Sequence, residues 1–231
     1  MIWPGFYYDS TMLLMLPALI FALYAQWRVS AAITHNNGIQ NTRGISGLDV
    51  ARTLLTRNGL AEVPVILTEK GDHYDPLKRT VCLSRDVYQG SSLTSLGVAA
   101  HEVGHALQHQ QSYLPLALRS GFFPIANFAS TAAWPILLLG LMLSIPFLMD
   151  LGVIIFAAAV FFQILSLPVE YNASRRAMQL LHSNGMIVSS EEHAVKGVLD
   201  AAALTYVAAA ATAVLTLLRY MMLSSNSKRR R

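Results

Sequence analysis

The stretch FFPIANFASTAAWPILLLGLMLSIPFLMDLGVIIFAAAVFFQILSLPVE, Phe122 to Glu170, carries one charge, Asp150, before it ends on a second, Glu170. A hydrocarbon core about 30 Å thick takes about 20 apolar residues of helix, so the run holds two spans. They fall near residues 122–147 and 151–169, with Asp150 and Gly152 marking the joint of a helical hairpin. Glu170 then stands where the second of these spans leaves the membrane, and an ionisable residue at that depth points to function.

The rest of the chain is consistent with this. STMLLMLPALIFALYAQW, within residues 10–28, is a further span, with Trp3, Tyr7, Tyr8 and Trp27 placed as interfacial aromatics. It has neither a basic leader nor a small-residue cleavage site, which predicts a retained anchor. AAALTYVAAAATAVLTLLRYMML, Ala201 to Leu223, is the fourth, with Arg219 near enough to its end to snorkel. Over the 231 residues, 54% are hydrophobic and 13% charged, too apolar for an ordinary soluble globule. Four spans put both termini on one side and leave residues 28–121 and 170–200 together on the other. The fold class expected is mainly α, a polytopic helical membrane protein forming one membrane-embedded domain, with a small α+β region over residues 44–120. The net charge of +4 equals the four positives of the terminal KRRR, so no basic face for nucleic acid remains; the tail suits anionic headgroups of the bilayer. Cys82 is the only cysteine, which excludes an internal disulfide and any Cys-based zinc motif.

In the long polar segment, Ser46 followed by Asp49 predicts a helix N-terminus and Gly59 its stop. VPVILT and TVCLS are strand-like runs joined by the turn formers of EKGDHYDPLKR, which predicts a hairpin, with TVCLS as an edge that could pair with an extended substrate. VAAHEVGHALQHQQ follows. His101 and His105 are i and i+4 on a helix, one turn apart on one face, a spacing at which two imidazoles hold one zinc. Glu102 lies about 100° round, outside the ligand set and free to act as a base. The competing reading is a plain polar helix face. A catalytic zinc takes a third protein ligand, and a downstream histidine on this helix is ruled out because Gln108 and Gln111 occupy the positions a longer histidine motif requires. His109 lies two turns from His101, too far for one coordination sphere on a straight helix. Glu170 is the candidate from spacing, against the alternative of an interfacial carboxylate paired with Arg175 or Arg176.

HEVGH followed much later by EYNAS resembles the gluzincin metallopeptidases. DHYDP, CLS, AAHEVGHALQH, LPVEYNASRRA and AAALTYVAA together resemble the YugP-like family of neutral zinc metallopeptidases, multi-pass membrane proteins of bacteria. That resemblance implies Zn²⁺ held by His101, His105 and Glu170, with Glu102 as general base in peptide hydrolysis. More distantly the chain resembles the HtpX and CAAX-protease membrane peptidases, which carry an aspartate where this chain has Ser174; Asn172 or Ser174 could replace it only in part. His73 and Tyr74, in the turn before the catalytic helix, are the candidate donors to the oxyanion. The expected substrate is a membrane protein or peptide at the bilayer, and the HtpX resemblance favours a catalytic face in the cytoplasm. The alternative is a membrane scaffold retaining a structural zinc; the intact Glu102 favours the enzyme, since a structural site needs no base beside its histidine.

Overall fold

The computed structural model describes residues 10 to 229; the interfacial aromatics Trp3, Tyr7 and Tyr8 and the side chains of the basic tail lie outside the described residues. After a short 3₁₀ turn the elements are α1 (Met15–Asn37), α2 (Gly47–Arg57), β1 (Val65–Leu67), β2 (His73–Asp75), β3 (Thr80–Leu83), α3 (Arg85–Gln89), α4 (Leu93–Gln110), α5 (Leu114–Met142), α6 (Pro146–Ser183) and α7 (Ser189–Arg229). Among the described residues four helices, Thr11–Asn37, Leu114–Met142, Pro146–Ser183 and Ser189–Asn226, are long and apolar enough to cross a membrane. The protein is thus a mainly α polytopic membrane protein, as its hydropathy implies.

The helices run past the expected spans. At 38 residues α6 is far longer than the hydrocarbon thickness requires, so one continuous helix carries both the apolar run ending at Val169 and the polar continuation that starts with Glu170. The chain packs as two units: one of Phe122–Ile164 with the described residues up to Tyr24 and from Val207, the other of Ala25–Gly121 and Leu165–Tyr206.

In the first unit the hairpin joint is not at Asp150 and Gly152. The break falls at residues 143–145, with Ser144 at φ 55°, and Pro146 opens α6, where its missing N–H loses no helical bond. Asp150 lies inside α6 and accepts from Ser224 Oγ at 2.5 Å. The glycine has a different use: a Cβ on Gly152 would come within 3.1 Å of Leu137 N and 3.2 Å of Ala133 O, so it lets α5 and α6 approach closely. Arg219 does not stand alone at its helix end; its Nε donates to Thr11 Oγ1 at 3.3 Å.

In the second unit Ser46 caps α2 as its spacing implies. Its Oγ accepts from Asp49 N at 3.2 Å while the Asp49 carboxylate accepts from Ser46 N at 3.3 Å, a reciprocal capping box. The expected hairpin is corrected. β1 and β3 pair in parallel, Val65 opposite Val81, and the segment between them supplies β2, antiparallel to β3 with Tyr74 opposite Val81. The sheet order is β1-β3-β2, so TVCLS is the central strand and not an edge. The reason is burial: Val81 and Leu83 are fully covered by the core they share with Val50, Leu54 and Leu55 of α2, Leu96 and Val103 of α4, and Leu181 of α6.

The α1–α2 loop is tied to α7 by one side chain. Glu191, 7% exposed, accepts from Thr42 N at 2.6 Å, Thr42 Oγ1 at 2.8 Å and Val188 N at 3.0 Å. Glu191→Ala strands these donors and is expected to cost about 1–3 kcal/mol, read as a lower Tm in detergent; an unchanged Tm would show that the loop holds without it.

Candidate metal centre

Helix α4 starts at Ser92, whose Oγ accepts from Ser95 N at 3.0 Å. It is buried nearly all round, including Ala99, Ala100, Val103 and Ala106, as the small residues around the motif suggest. It crosses α6 at a glycine. A Cβ on Gly104 would meet Ala173 O at 2.7 Å, so no larger residue fits while the two backbones are this close.

That approach brings His101 and His105 of α4 to Glu170 of α6. His101 Nε2 is 3.2 Å and His105 Nε2 3.5 Å from Glu170 Oε2, and one donor atom from each of the three residues lies within 4.8 Å of the others. A tetrahedron with bonds of about 2.0–2.1 Å has edges of about 3.3–3.4 Å, so the two distances bracket what a zinc would require.

The protonation pattern points the same way. Gln108 Nε2 donates to the carbonyl of Val169 at 2.8 Å and to Asn172 Oδ1 at 2.9 Å, which fixes its Oε1 toward His105 Nδ1 at 3.0 Å. An amide oxygen only accepts, so His105 carries its proton on Nδ1. Nε2 then faces a carboxylate oxygen, and a proton or a metal ion between the two would satisfy both. Burial disfavours the charged form of His105, but hydrogen bonding to Glu170 and the nearby Glu102 charge outweigh it, so its pKa is raised; the pair is set to take a proton or a metal. His101 Nδ1 meets Ser174 Oγ at 3.2 Å. The serine therefore occupies the place beside His101 where a carboxylate would bind more strongly.

Glu102, 7% exposed, is outside the cluster of three donors. Burial pushes its carboxyl above the usual carboxylate range, and the imidazoles of His101 and His105 pull it part of the way back. Glu170 does not pair with Arg175 or Arg176. Its Oε1 accepts from Arg119 Nη1 at 2.8 Å, while Arg176 binds Asn172 Oδ1 and Gln111 Oε1, each at 2.7 Å. His109 is turned away to the Tyr74 hydroxyl at 2.9 Å, and His73 Nδ1 is bonded to the Gly71 carbonyl at 2.9 Å. Tyr206 approaches the Glu170 carboxylate from α7.

Sequence reasoning missed Arg119, Gln108 and Tyr206 as parts of this site. Gln108 had a signal, an amide three residues after a ligand on a helix with little polar surface. Arg119 had none, because a basic residue before a span is what membrane topology alone produces.

No solved structure matches the chain significantly. It is 46% identical over 217 residues, 93% of its length and 96% of the relative's, to a protein of Bacillus subtilis (strain 168) named "Putative membrane protease YugP". Residues 11–225 match the model of the family described as "Putative neutral zinc metallopeptidase", so the chain belongs to that family.

Proposed function

We propose that this protein is a membrane-bound zinc endopeptidase in which His101, His105 and Glu170 hold the ion and Glu102 is the general base. The observation that carries the reading is the convergence of two Nε2 atoms and one carboxylate oxygen, with a buried glutamate beside them that is not a ligand. When bound, zinc supplies Lewis acidity that acidifies water and polarises a peptide carbonyl. The chain's residues do the rest. Glu102 accepts the proton of the attacking water and returns it to the leaving amine. Ser174 and Gln108 hold the two imidazoles with Nε2 inward. β2 is an edge strand packed beside α4, so it takes the docking role first read into TVCLS, offering backbone groups to an extended peptide.

His73 and Tyr74 on that strand remain the proposed oxyanion donors. With Nδ1 donating to Gly71, His73 donates from Nε2 only as the imidazolium; Tyr74 must release His109 to do so. The Tyr206 hydroxyl joins them as a third candidate. The substrates proposed are membrane proteins or unfolded segments near the bilayer, cut on the cytoplasmic face. With four spans the tail is then outside, and labelling it on intact cells is the expected result.

The test of the function is metal removal. Protein purified in detergent is expected to contain one zinc per chain and to cleave an unfolded substrate such as casein, to lose cleavage on chelation and to regain it with stoichiometric zinc. Chelator-insensitive cleavage, or material without zinc-binding capacity, would reject the reading.

A further inference from the structure

The Glu170 carboxylate is 4% exposed and its two oxygens have different partners. Oε2 faces both imidazoles, and Oε1 is taken by Arg119 at 2.8 Å. Arg119 comes from the start of α5 and keeps 26% of its side chain exposed, so its charge is partly hydrated while Nη1 reaches inward. One consequence follows from elementary chemistry: a carboxylate with both oxygens free can bind a cation through both, filling a coordination position that a catalytic site leaves to water, and an oxygen held by a fixed guanidinium is not free to do so.

We propose that Arg119 is the positioning residue of the metal centre: by holding Oε1 it restricts Glu170 to one-oxygen ligation and keeps the donor set assembled in the metal-free protein. The inference rests on the zinc reading above. Arginine suits the task because its guanidinium stays charged and donates in a fixed plane; lysine supplies the charge without that directionality.

Full-length wild type, Arg119→Met and Arg119→Lys, purified in detergent, decide it by two measurements independent of turnover. Zinc affinity is read by competition with a chromophoric chelator, and coordination by the visible absorption of the cobalt(II)-loaded protein. Arg119→Met is expected to bind zinc about 10- to 100-fold more weakly and to show weaker cobalt bands, as the freed oxygen raises the coordination number. Arg119→Lys is expected to fall between Met and wild type in affinity. Zinc affinity and cobalt spectrum both unchanged in Arg119→Met would overturn the proposal. If the Met variant does not fold, the Lys variant decides alone: a weaker affinity with an altered spectrum supports the assignment, and wild-type values overturn it. Wild type that binds neither metal is a different failure, of the zinc reading itself.

Discussion

Glu102→Gln is expected to lower kcat/KM for peptide hydrolysis by about 10²- to 10⁴-fold while zinc binding stays at one per chain. The amide has the size of the carboxylate, and Glu102 is buried beside the ligands without being one, so packing and coordination should survive the exchange. What is lost is a group that can take a proton from water and deliver it to the leaving nitrogen. The effect belongs in kcat, with little change in KM, because no ground-state contact to the substrate is removed. Measured with zinc content on the same preparations, the result separates enzyme from scaffold: equal cleavage by the two zinc-loaded proteins would end the catalytic reading.

Gly104→Ala is expected to damage the site by packing alone, without removing a polar group. The added methyl would sit 2.7 Å from Ala173 O and 3.3 Å from its Cα, and backbone cannot rotate out of the way as a flexible side chain would. Alanine favours a helix over glycine by about 1 kcal/mol, but overpacking costs about 1–3 kcal/mol, so the net sign is destabilising. Because α4 carries both histidines and α6 the glutamate, the strain opens the donor triangle, and zinc affinity should fall at least about tenfold. Gly197 is the control: a Cβ there meets nothing within 4 Å, so Gly197→Ala should hold or raise Tm by thermal shift. A Gly104→Ala protein with wild-type Tm and zinc affinity would show that the close crossing of α4 and α6 is not what sets the site.

How legible each part was in the sequence follows from the range of the interaction that defines it. The capping box at Ser46 and Asp49 and the facing of His101 and His105 are set within one helical turn, so spacing alone reveals them. The four spans are set by length and hydropathy, but their ends are not, because α6 and α7 continue as helix into polar sequence once the apolar run stops. The strand order was beyond spacing. Two short apolar runs with a turn between them describe a hairpin as well as a parallel pair, and only the burial of β3 on both sides decides. Gly152 misled because glycine marks both turns and tight helix crossings. Glu170 stood out as a charge at a span end, yet its pairing with a helix about 70 residues earlier came from family resemblance. Arg119 could not be found that way, since its partner is fixed by how α5 and α6 lie together.

The order of the proposed ligands along the chain also bears on when the donor set is complete. His101 and His105 are synthesised first, and Glu170 follows only after all of α5 and the apolar part of α6 up to Val169. A nascent chain halted at residue 160 has both imidazoles and no carboxylate to join them. On the proposed zinc reading, translation itself thus keeps the donor set incomplete until the apolar part of α6 has been made.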